Sequence, residues 1–235
     1  MSSATRQGAR KRPLDADEPD EVPDNVRAML DWVREEGGTW DGLRFAPDGY
    51  GGTGGFARTA RRKGDALAFI PRSCVLTAAE ASASSLGKMA RAAAARWGVT
   101  KYATPECILW IYMCVARVTP SMRWHAYVAS LPATCPDPTN WAEAERAQFT
   151  GTPIGVSIDE ARAAIVACHD RFAGLLSAHA PELVPSGALS VEALLWARSM
   201  FTSRAFPIDL ATDLAAAARA PAPPAPPAPP APSSD

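Results

Sequence analysis

Apolar residues recur at helical spacing through most of this chain, and the exception is a short stretch dense in glycine. Met29, Leu30, Trp32 and Val33 fall on one side of a helix running from Val22 to Gly38, where Gly37-Gly38 stops it. Residues 43–76 are β-like and rich in turns. Within them Gly51-Gly52-Thr53-Gly54-Gly55-Phe56-Ala57 and Phe69-Ile70-Pro71 read as two short antiparallel strands joined around a turn.

Helical spacing then returns. Thr104-Pro105-Glu106 is a helix start, because proline at the first helical position gives up an N–H that would have no partner there. Ile108, Ile111, Tyr112 and Val115 follow as a buried stripe. Asn140 with Glu143, and Ser157 with Glu160, have the spacing of capping boxes, in which the first side chain binds an orphan N–H of the helix. Ala161, Ile165, Cys168, Phe172 and Leu175 make one apolar face. Ser190 opens a last helix through Leu194, Leu195, Ala197 and Met200. Strands, a long helical stretch and a final return define an α+β chain.

The two ends lack such periodicity. Residues 1–24 hold a basic block with Arg6, Arg10, Lys11 and Arg12. An acidic block with Asp15, Asp17, Glu18, Asp20, Glu21 and Asp24 follows. Separated like charges solvate rather than fold, so 1–24 is expected to be a disordered tail. Arg10-Lys11-Arg12-Pro13 fits a nuclear signal, part of a transit peptide or a solvated tail, and no apolar secretory segment precedes it. Residues 208–235 form an Ala/Pro-rich tail. Its stretch 220–232 contains only alanine and proline, a composition for polyproline II or coil. Such a tract serves either as a ligand for SH3- or WW-type domains or as an inert linker.

Bulk composition narrows the function. With 235 residues and 47% hydrophobic content, the chain can bury one core of ordinary size. A net charge of −1 argues against a dedicated nucleic-acid binder, and no apolar run suits a membrane span. Cys74, Cys107, Cys114, Cys135 and Cys168 are odd in number and without a Cys-x-x-Cys pair, so neither a metal site nor a disulfide framework is expected. This usage fits a soluble protein of a reducing, intracellular compartment. His125, His169 and His179 read as structural or surface histidines, and Trp97, Trp110, Trp124, Trp141 and Trp196 as core anchors.

The glycine run carries the candidate chemistry. Without Cβ atoms, its backbone can press N–H and C=O groups onto a small ligand; it can equally be a plain turn. Together with Ser203-Arg204-Ala205-Phe206 it belongs to an ordered set of motifs. These are Leu30-Asp31-Trp32, Gly52 to Ala57, Lys63-Gly64-Asp65 leading to Ile70-Pro71, Trp124-x-x-Tyr127 with Leu131-Pro132, Trp141, and Gly151-Thr152. Last comes Leu195-Trp196-Ala197-x-x-x-Phe201-x-Ser203-Arg204-Ala205-Phe206. In this order and spacing the chain resembles the SET-domain protein methyltransferases, in the group that includes the Rubisco large-subunit lysine methyltransferase. The resemblance spans residues 25–207.

The resemblance implies SET-type β-clip strands at 43–76, a mainly helical insert at 77–189, and the start of the C-terminal SET half at 190–207. It implies S-adenosylmethionine as cofactor, lined by Gly51, Gly52, Thr53 and Gly54. Some relatives carry an acidic residue where Gly51 stands. It implies a substrate-side role for Ser203 and Arg204, with Arg204 beside donor and target side chain alike. A guanidinium can clamp the donor's carboxylate in a bidentate pair. Arg204 also suits a plain cation closing the 190–204 helix.

The family further uses an Asn-His pair and a tyrosine beyond the Ser-Arg segment. Here no Asn follows Asn140 and no Tyr follows Tyr127. The chain is therefore expected to be an incomplete SET domain, truncated before its C-terminal half, and inactive as it stands. Three functions compete: a protein-lysine methyltransferase represented by part of its length, a non-catalytic SET-like interaction protein with a Pro-rich tail, and a protein-histidine methyltransferase. The expected partner is the protein that carries the target residue.

Overall fold

The computed structural model describes residues 20–205. The chain divides into two compact units after Phe201, and the fold below is that of the first. The tails at 1–19 and 206–235, with the Pro-rich tract, lie outside the described residues. The expected N-terminal tail nevertheless ends sooner than residue 24. Phe45 N–H donates to Asp20 Oδ1 (2.9 Å), and Glu21 N–H donates to the Phe45 carbonyl (2.9 Å).

Helix α1 spans Asp24–Glu35 and buries Leu30 and Val33; Gly37 turns the chain out of it at φ +94°. Strands β1 (Leu43–Pro47) and β2 (Thr53–Ala57) form an antiparallel hairpin with Leu43 opposite Ala57 and Pro47 opposite Thr53. This corrects the expected pairing. The glycine strand closes on the segment just before it, through a loop of five residues, because local closure has the lower entropic cost. Phe69 instead makes a single antiparallel bridge to Thr39. Among the described residues the sheet has these two strands only.

Helices supply the rest. These are α2 (Ala78–Ala83), α3 (Ser85–Arg96), α4 (Pro105–Val118), α5 (His125–Ser130), α6 (Glu143–Ala147), α7 (Pro153–Cys168), α8 (Gly174–His179) and α9 (Val191–Arg204). Their starts follow local chemistry. Thr77 and Glu80 form a capping box on α2 that the sequence reading passed over. Thr104 caps α4, with proline next, as expected. Ser190 Oγ accepts from Ala193 N–H at the start of α9 (3.1 Å).

Two expected caps are corrected. Ser157 lies inside α7, which begins at Pro153 with Thr152 accepting from Gly155 N–H (3.1 Å). Thr152-Pro153 repeats the signature of Thr104-Pro105 and could have been read. Asn140 does not cap α6, whose cap position is Ala142; its side chain donates to Ser199 Oγ on α9 instead (2.8 Å).

The main core gathers on α4, which is buried nearly all round: Leu109, Met113, Cys114 and Ala116 join the expected stripe of Ile108, Ile111, Tyr112 and Val115. Helices α2, α3 and α5 pack on it, and Leu194, Leu195, Ala197 and Met200 of α9 complete the cluster. A smaller cluster of Leu30, Val33 and Trp40 backs the hairpin. Trp124 and Trp196 are buried, whereas Trp97, Trp110 and Trp141 are half-buried. Cys107 and Cys168, 61 residues apart in sequence, bring their sulfurs together where α4 meets the end of α7.

A π-helical turn at His169–Ala173 lies between α7 and α8. Leu176 is fully buried, and Leu175, expected on that face, is only half-buried. At about 3.6 residues per turn Leu176, not Leu175, comes back into phase with Ile165.

Candidate functional site

The hairpin loop is organised by one carboxylate. Asp48 Oδ1 accepts from Tyr50 N–H (2.7 Å) and from Gly52 N–H (2.9 Å), while Asp48 N–H donates to the Gly52 carbonyl (2.9 Å). The two N–H groups hold the Asp48 carboxyl below its ordinary value, since they bind its ionised form. Gly51 sits at φ +92°, where a side chain is strained. A Cβ on Gly52 would lie 2.7 Å from Asp48 Oδ2, and one on Gly54 would lie 3.1 Å from the Phe56 ring. Each glycine thus has a folding reason of its own.

The register decides where the backbone groups point. Asp48:Gly52 and Gly42:Arg58 are hydrogen-bonded pairs at the two ends of the hairpin. Stepping by two through the register adds Ala46:Gly54 and Arg44:Phe56 to that set. Thr53 and Gly55 then direct their N–H and C=O groups away from β1, along the outer edge of β2. That edge has no strand beside it among the described residues. The outer edge of β1 is covered: Asp20 and Glu21 take up Phe45, and Arg58 Nε donates to the Leu43 carbonyl (3.1 Å).

Gly51 and Gly52 are exposed, and Thr53 and Gly54 half-buried. Two cavities of about 340 and 430 Å³ among the described residues are lined by other residues. Gly51, Gly52, Thr53 and Gly54 thus come together in one turn and the strand it opens. Ser203 and Arg204 come together in the last turn of α9, both exposed, with Arg204 Nη1 donating to Ser203 Oγ (2.8 Å). They belong to the second unit.

The histidines hold local positions. His125 Nδ1 lies 2.7 Å from the Ala116 carbonyl, His169 Nδ1 lies 2.9 Å from Asp170, and the His179 ring packs on Trp97. Sequence reasoning missed Asp48 and Tyr50. Asp-Gly-Tyr-Gly-Gly between two strands was the available signal, since aspartate at a turn start binds the backbone two residues on.

No family model and no curated protein matches the chain. Solved structures do. The SET domain of LSMT bound to lysine and AdoHcy superposes with a TM-score of 0.66 at 17% identity, over 78% of this chain and 39% of that one. Rubisco LSMT bound to sinefungin and monomethyllysine gives 0.65 at 17% identity, over 79% and 41%. Rubisco LSMT bound to AdoMet gives 0.62 at 16% identity, over 79% and 42%. The fold of the chain is therefore similar to that of these SET-domain structures, rich in helix with a two-stranded sheet among the described residues, and the chain spans about two fifths of their length. Among the described residues no helix is long and apolar enough to cross a membrane.

Proposed function

We propose that this chain carries the methyl-donor side of an S-adenosylmethionine-dependent protein methyltransferase of SET type, acting on lysine. The observation that carries the reading is the open outer edge of β2, next to a glycine turn, within a fold similar to donor-bound SET structures. Gly51 and Thr53 would offer main-chain groups to the donor. Gly52 and Gly54, whose groups are paired within the hairpin, would keep Cβ atoms off it, and Arg204 is, by the resemblance alone, the candidate for its carboxylate. Lysine is the acceptor of choice because lysine and monomethyllysine occupy the neighbours.

Transfer needs more than donor binding. The acceptor amine must be held in line with the methyl, and oxygen dipoles must meet the charge there. With no Asn beyond Asn140 and no Tyr beyond Tyr127, the 235 residues by themselves are expected to bind donor weakly and to transfer no methyl group.

Calorimetry with S-adenosylmethionine tests the reading. Affinity in the high-micromolar to millimolar range, about 4–6 kcal/mol, is expected. Arg204→Ala weakens it and Arg204→Lys does not fully restore it, because an ammonium lacks the planar fork. Tight binding that is indifferent to Arg204→Ala, or labelled-methyl transfer by the chain alone, would overturn this assignment.

A further inference from the structure

We infer that Tyr50 stacks on the adenine ring of the donor; this rests on the donor-binding reading above. Tyr50 is 96% exposed, more than any other large apolar side chain among the described residues. A lone exposed ring is ordinary on a protein surface. The way this one is mounted is not.

Its own N–H is bound by Asp48 Oδ1, and the same oxygen holds Gly52 two residues on. The ring therefore projects from a fixed base, and a tyrosine loses little side-chain entropy when it is covered. Its neighbours are Gly49 at φ +81° and Gly51 at φ +92°, so no adjacent side chain shields either face. Three residues further along the chain come the outward N–H and C=O groups of Thr53 and then Gly55. An unshielded aromatic ring in the turn that leads into those main-chain groups suits a ligand with a flat heterocycle at one end and a polar chain at the other. Adenosylmethionine and adenosylhomocysteine have that form. Stacking of a base on an aromatic side chain is tolerant of ring identity and gains from burying both faces.

The experiment uses the full 235-residue chain with S-adenosylhomocysteine as the probe, followed by calorimetry and by proton NMR. Cross-relaxation is expected between the adenine H2 or H8 and the Tyr50 ring. Tyr50→Ala should weaken binding by about tenfold to a hundredfold, and Tyr50→Phe, which keeps the ring, should recover most of it. The side chain touches no core, so the circular dichroism spectrum of both variants should match the wild type. Equal affinity of wild type and Tyr50→Ala, or adenine contacts to other rings only, would overturn the inference while leaving donor binding intact. No binding by the wild type would overturn the donor-binding reading, and this inference with it.

Discussion

Asp48 ties the hairpin tip with a single oxygen, and that makes the turn sensitive to acid. The folded-state pKa lies below the ordinary 3.8 because Tyr50 and Gly52 N–H groups bind the ionised carboxylate. Its contribution is fully present above about 3.8 and is lost as pH falls through the lower folded value. Amide proton shifts of Tyr50 and Gly52 should therefore titrate together with a midpoint below 3.8. In Asp48→Asn, which keeps an acceptor oxygen, that titration should vanish. A midpoint at or above 3.8 would mean that the carboxylate does not hold the loop. The same residue accounts for Gly52, whose missing Cβ leaves room for Asp48 Oδ2.

Helices α7 and α8 show that an apolar face has to be counted from its start. At about 3.6 residues per turn the face through Ile165, Cys168 and Phe172 continues to Leu176 and not to Leu175, and Leu176 is the buried one. Leu176→Ala should then cost about 2–5 kcal/mol, the range for emptying a filled core site. Leu175→Ala, at a half-exposed position, should cost well under half as much. Urea denaturation of the two variants decides it, and equal costs would contradict this difference in burial. Within the first unit, the caps Thr77, Thr104, Thr152 and Ser190 act locally and were open to reading, though only two were read.

For the whole molecule, one buried polar link joins distant segments. Ser199 is fully buried on α9; its Oγ accepts from Asn140 and lies 3.5 Å from Thr139 Oγ1. Asp137 in turn accepts from the Thr139 hydroxyl (2.5 Å). Ser199→Ala leaves Asn140 without this acceptor and should cost about 1–3 kcal/mol. A double-mutant cycle with Asn140→Ala should show coupling, and additive costs would place the link elsewhere. The resemblance motifs have a similar meaning at this scale. Leu30, Trp124, Leu131 and Trp196 are core residues, Thr152 is a cap, and Gly64 and Gly151 take positive φ. This part of the signature therefore encodes folding.

Taken alone, the sequence determined what neighbouring residues decide. Thr104 with Pro105 set the start of α4 and Ser190 that of α9, and apolar spacing set α1, α4 and α9. These depend on one turn of chain, so spacing and residue type suffice. The tertiary structure decided what depends on residues far apart. It chose Leu43–Pro47 as the partner of the glycine strand, sent Asn140 to Ser199 rather than to a helix cap, and brought Cys107 beside Cys168. It also left the outer edge of β2 open while Asp20 and Glu21 covered that of β1. Strand register and buried contacts arise from closure between separate segments, whose costs and gains no local pattern records.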